Sequence, residues 1–159
     1  MTRNIPRLLA PFLLAAMLFL PATHHGIAFG QTPPFIKVES RLDFQATLKT
    51  LQAAAKRNRL GIVNRASAQR GAAAIGVKIP GNQVWGLFAP RFAVRMLKAN
   101  VDAGYEAPIR LYIVEAPGGR VTVRYRKPSV VFKPYGHPGL DAMAAELDVL
   151  FARVVASVR

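Results

Sequence analysis

Two alternating runs, Ile109 to Ala116 and Arg120 to Lys127, flank Pro117-Gly118-Gly119, and this arrangement restricts the fold more than any other stretch of the chain. If all three flanked residues form the loop, Ile113 faces Val123, Leu111 faces Tyr125, Tyr112 faces Arg124 and Arg110 faces Arg126. A two-residue Gly118-Gly119 loop would instead set Ile113 against Arg124. Strand side chains alternate with period two, so a slip of one residue sends each of them to the opposite face. The odd-length loop is therefore selected. It gathers Ile109, Leu111, Ile113, Val121 and Val123 on a core face and leaves arginine, tyrosine and threonine on the other.

The remaining chain reads as elements able to cover that core face. Phe35 to Ser40 alternates Ile36 and Val38 with Lys37 and Glu39, the period of a half-buried strand. Asp43 is placed to cap a helix with a stripe of Phe44, Leu48, Leu51 and Ala55. Lys56, Arg57 and Arg59 crowd its C-terminal end, where cations complement the helix dipole, and Gly61 is the expected terminator. Leu60 to Arg65 and Val84 to Ala89 read as strands, separated by a short Ala-rich helix from Ser67 to Ile75 and a turn at Pro80-Gly81-Asn82. Phe92 to Asn100 reads as a helix and Asp102 to Pro108 as a loop.

A last helix is predicted over about Pro138 to Val158, with Leu140, Ala144, Leu147, Phe151, Val154 and Val158 alternating four- and three-residue steps. His137 or Gly139 would cap it, and Pro138 suits the first turn, where a missing N–H costs little. Each fully buried Leu or Phe contributes roughly 1.5–3 kcal/mol, so this stripe must pack on the sheet or on a partner. Core packing is the expectation, ahead of a coiled-coil seam. The predicted order is β-α-β-(α)-β-α-β-β-α, one α+β domain over residues 35–159.

Ahead of the domain the chain has three zones. Met1 to Arg7 carries Arg3 and Arg7 with no acid, Leu8 to Leu20 is uninterrupted and apolar apart from Pro11, and Pro21 to Gln31 is small and polar. Positive, apolar, then small is the order of a secretory signal. Thirteen helical residues rise about 20 Å, short of the roughly 30 Å hydrocarbon core. Residues 1–30 are therefore expected to be a cleaved signal peptide, cut after Ala28 or Gly30, with 31–34 as a linker. The protein is expected to be periplasmic or secreted and to meet the membrane only transiently, through the signal segment.

The 159 residues include 22 Lys and Arg against 8 Asp and Glu, a net charge of +14. Cutting off the signal removes two arginines and lowers that to +12. Such a field attracts anionic partners without bearing on the fold. The chain has no cysteine. Disulfides, thiolate nucleophiles and Cys-based metal or iron–sulfur sites are thereby excluded, and a domain of this size must stand on its core.

The order of motifs resembles a known family, the one catalogued as domain of unknown function 302. The resemblance enters through Ser40-Arg41-Leu42-Asp43-Phe44 with Thr47, Leu48 and Leu51, and continues through Leu60-Gly61-Ile62-Val63 and Ala72-Ala73-Ala74-Ile75-Gly76-Val77. It includes the strand ending at Pro90, Ala107-Pro108-Ile109-Arg110 leading into the hairpin, and Tyr125-Arg126-Lys127-Pro128 closing it. It covers about three-quarters of the mature domain and is specific in order and spacing rather than in one motif. The chain departs from it at Phe88-Ala89-Pro90, where the family carries Gly-Asn before the proline. What the resemblance implies is a small two-layer α+β fold, helices packed on an antiparallel sheet, with a tendency to form a homodimer. It implies no reaction, cofactor or catalytic residue.

Candidate chemistry is correspondingly sparse. His137 is the one histidine outside the signal region, which argues against a metal site and a Ser-His-Asp set. Asp43 and Asp141 are accounted for at helix starts, while Glu115 falls near the hairpin loop on the otherwise apolar face. Glycine-rich phosphate loops and nucleophile elbows are not matched. The outward hairpin face, with Arg110, Tyr112, Arg124 and Arg126, is the candidate anionic-ligand face. Helical spacing also aligns Arg91, Arg95 and Lys98 as a second basic stripe. Arginine beside tyrosine superficially suits single-stranded nucleic acid, but export argues against that partner. The expectation is an exported, non-catalytic binding module with no catalytic residue, metal or cofactor. Its ligand would be a small anion or an envelope polymer. The alternatives are a metal-free, thiol-free enzyme acting on an anionic substrate, and an accessory protein of anionic envelope components.

Overall fold

A computed structural model describes residues 35–159. The expected signal segment and linker lie outside the described residues. Five strands form one antiparallel sheet: β1 (Ile36–Glu39), β2 (Gly61–Ser67), β3 (Asn82–Phe88), β4 (Ile109–Glu115) and β5 (Val121–Tyr125), in the order β1-β5-β4-β3-β2. The helices are α1 (Phe44–Arg57), α2 (Ala68–Ala74), α3 (Pro90–Ala99), α4 (Pro128–Phe132) and α5 (Pro138–Ala156), with short 3-10 turns at Asp102–Glu106 and Lys133–Tyr135. The α+β class and element order follow the sequence expectation, with α4 added.

The hairpin takes the register that alternation demands. Leu111 lies opposite Tyr125, Tyr112 opposite Arg124 and Ile113 opposite Val123. The Ala116 N–H donates to the Arg120 carbonyl at 2.8 Å and closes the ladder, and Gly118 and Gly119 turn the loop at φ +92° and +81°. These angles lie in the left-handed region that glycine enters at little cost. The five predicted core-face residues of the hairpin are all buried.

Among the described residues, the long helices α1 and α5 close over that face. The α5 stripe of Leu140, Ala144, Leu147, Phe151, Val154 and Val158 is buried, and the Phe151 ring stands 5.5 Å from that of Tyr125 on the sheet. The stripe is core rather than a dimer seam. His137 caps α5, its Nδ1 accepting from the Gly139 N–H at 3.0 Å, and Asp43 caps α1 through the Ala46 N–H at 2.8 Å. The end of α1 differs from expectation: Arg59, at φ +52°, makes the left-handed turn. The Leu60 N–H bonds back to the Ala55 carbonyl, so Gly61 is free to begin β2. Among the described residues no helix is long and apolar enough to cross a membrane.

Glu115 is likewise explained by the fold. Its carboxylate accepts the Gly81 N–H at 2.9 Å while its own N–H donates to the Gly81 carbonyl at 2.8 Å. A side chain on Gly81 would stand 2.5 Å from the Phe44 ring, so glycine is required there. That pairing extends the β3–β4 ladder by one step and ties the turn to the hairpin.

Candidate functional site

Register fixes what the uncovered face of the sheet displays. Lys37 lies opposite Arg124, which lies opposite Tyr112, which in turn lies opposite Val84. One step further along the strands, the same register carries Arg126 towards Arg110, and Arg110 lies opposite Gly86. Three arginines and a lysine thus occupy two adjacent rows of one face. Like charges directly opposite one another destabilise a sheet, so such a face needs counter-charge from elsewhere.

The chain supplies little. Lys37 meets Glu39 at 4.0 Å with both side chains more than half exposed, a contact of small value in water. Among the described residues no carboxylate pairs with Arg110, Arg124 or Arg126. The Arg124 Nε and the Thr122 Oγ1, two residues apart on β5, are buried and have no hydrogen-bond partner among the described residues. Such groups carry a desolvation cost of about 1–3 kcal/mol each until something accepts from them.

Around this face runs a groove of about 930 Å³. The four hairpin residues singled out by alternation, Arg110, Tyr112, Arg124 and Arg126, all line it. Its floor continues through Val84 and Ala66, and its end is formed by Tyr105, Glu106 and Pro108. The approach of that end to the sheet depends on Gly86: a Cβ there would stand 2.5 Å from Pro108 Cγ and also meet Asn64 Oδ1. The Tyr112 hydroxyl accepts from Asn82 Nδ2 at 2.7 Å, which ties the ring to β3. Glu106, the carboxylate of the lining, accepts from the Tyr135 hydroxyl at 3.4 Å.

The second basic stripe lies elsewhere, on α3, and none of its three residues lines the groove. Arg91 donates to the Arg59 carbonyl at 2.8 Å and lies over the Phe92 ring. Arg95 makes a two-pronged contact with Glu146 at 2.7 Å on each prong. That contact raises the Arg95 pKa and holds the Glu146 carboxyl below its ordinary value. Lys98 is exposed on the last turn. Two of the three cations are therefore engaged by the fold.

Tyr105, Glu106 and Asn64 escaped the sequence reading. Tyr105 and Glu106 come from a 3-10 turn within a stretch expected to be plain loop. Asn64 sits beyond a bulge between Ile62 and Asn64 that upsets the alternation of β2. Arg65 lies opposite Trp85, with its guanidinium 4.6 Å from the centre of that ring, and it too lines the groove. Among the described residues no group of three or more His, Asp or Glu side chains comes together as a metal site would require.

The model of the family described as domain of unknown function DUF302 matches residues 36–158. A crystal structure titled as an uncharacterized conserved protein DUF302 from Bacillus stearothermophilus superposes with a TM-score of 0.70 at 20% identity. The match covers 79% of this chain and 98% of that one, and it establishes a shared fold. No curated protein matches the chain.

Proposed function

The chain belongs to the DUF302 family, and from that premise we propose that it is an exported, non-catalytic binding module whose open sheet face takes an anionic ligand. One observation carries this reading: Arg110, Arg124 and Arg126 gather on neighbouring strands in a single groove, and among the described residues they meet no carboxylate. A fold tolerates such a local conflict where a ligand resolves it. An anion seated between Arg124 and Arg126 would supply the missing counter-charge and an acceptor for the buried Arg124 Nε–H.

The test compares two double variants with equal loss of charge. Replacing Arg124 and Arg126 by Ala is expected to shift elution from a heparin column to clearly lower salt than replacing Arg91 and Lys98 by Ala. Equal shifts would mean that only net charge matters, and the groove would lose its role.

A small enzyme acting on an anionic substrate is the alternative, and Glu106 favours it as a carboxylate in the same groove. It predicts turnover of a bound anion that Glu106→Gln abolishes without weakening binding. An accessory protein of anionic envelope components is a third use of the same face. Export rests on the three-zone N-terminus, and N-terminal sequencing of the native protein should begin after Ala28 or Gly30. Recovery from cytosol with Met1 in place would contradict it. A homodimer is part of the proposal, supported by exposed apolar residues at Val63 and Ile75 beside the sheet edge. Sedimentation of a Val63→Lys, Ile75→Lys variant should then give the monomer mass, and an unchanged mass would place any interface elsewhere.

A further inference from the structure

We infer that the groove's occupant is a discrete organic dianion, two carboxylate or phosphate groups on a flat apolar body, rather than a polymer strand; this rests on the anion-binding reading above. Four features of the groove favour it. The charges are local: Arg110, Arg124 and Arg126 stand on two neighbouring strands, at opposed or next-but-one positions. Such positions are separated by roughly 5–7 Å, the span between two anionic groups on one small framework.

Apart from Glu106 and Arg65, the rest of the lining is uncharged and largely apolar, with Ala66, Val84, Pro108 and the 91%-exposed Tyr105 beside the arginines. A polyanion offers such surface nothing, whereas a flat ring or short hydrocarbon would be covered by it. The groove's volume, about 930 Å³, falls within the range of small-molecule sites. Finally, the surroundings oppose a long track of negative charge. Glu106 stands at one end of the groove, and on the α3 stripe Glu146 already holds Arg95.

Arg124 is the anchor. Its Nε–H is buried and unpartnered, and the guanidinium edge formed by Nε and one terminal nitrogen matches the two oxygens of a carboxylate or phosphate. Lysine can keep the charge at that position but cannot present the fork.

Terephthalate, with two carboxylates across a benzene ring, serves as the probe for calorimetric titration of the purified full chain. Benzoate lacks the second charge, and succinate lacks the ring. Terephthalate is expected to bind at least about tenfold more tightly than either, the equivalent of one charge-assisted hydrogen bond. Arg124→Lys, which keeps the charge but not the fork, is expected to remove about tenfold of that affinity. Terephthalate binding no better than benzoate and succinate would overturn the dianion assignment, and that comparison needs no variant. If the heparin dependence on Arg124 and Arg126 nevertheless held, the groove would remain an anion site and a polymer its occupant. If that dependence also failed, both readings would fall together.

Discussion

Gly86 joins the wall of the groove to its floor. Its missing side chain lets Pro108 and the Asn64 side chain close over β3, and Pro108 follows directly on the turn that carries Tyr105 and Glu106. Gly86→Ala is expected to cost about 1–3 kcal/mol through overpacking, seen as a lower urea midpoint, and to weaken anion binding with it. An unchanged midpoint would mean that the turn does not rest on the strand. Tyr125, on the buried face, makes a different kind of prediction. Burial raises its phenol pKa above the ordinary value, and the nearby Asp148 carboxylate adds to the rise while Arg159 opposes it. The unfolded chain therefore ionises first. The contribution is whole below the ordinary tyrosine pKa of about 10 and is lost as pH climbs through the folded value. Tyr125→Phe should flatten the decline in stability between about pH 9 and pH 11, measured by urea unfolding. Parallel declines in the two proteins would contradict this account of Tyr125.

At the scale of elements, the hairpin loop decides which face is which. Deleting Gly118 would leave Pro117 and Gly119 to close the Ala116–Arg120 pair, and a two-residue hairpin turn needs a positive φ at its first residue, which proline cannot adopt. The variant is expected to lose its cooperative unfolding transition. Retention of a native-like transition would show that the register is held by something other than the loop. Elements with a long apolar period were legible in advance: α1, α5 and the hairpin each follow from stripes or alternation in the sequence. Shorter ones were not. α4 has five residues, too few for a helical period to show, and its start is fixed from outside. Asp148 of α5 accepts from both the Ser129 N–H at 3.0 Å and the Ser129 hydroxyl at 2.6 Å. Tertiary contact rather than local pattern makes that helix. α1 ends at Arg57, four residues before the glycine that looked like its stop, because Arg59 adopts the left-handed turn and its carbonyl is held by Arg91.

For the whole molecule, one asymmetry organises the described residues: the long helices pack on one face of the sheet, and the groove lies along the other. Which four hairpin residues meet on the open face was legible because strand alternation is a strict geometric rule. That Lys37 joins them depended on β1 pairing with β5, a long-range choice that no local pattern encodes. The same holds for Tyr105, Glu106 and Asn64, which reach the groove through a 3-10 turn and a bulged edge strand. The second stripe was correct as helical geometry yet silent about Glu146, whose placement beside Arg95 depends on how α5 packs. The account's central claim is that anions bind the open face of the sheet. Amide chemical shifts recorded while the chain is titrated with a short heparin fragment test it most directly. The account predicts saturating shifts at Arg110, Tyr112, Arg124 and Arg126, with α3 unmoved. Shifts centred on Arg91 to Lys98, or spread evenly over the basic surface, would contradict it.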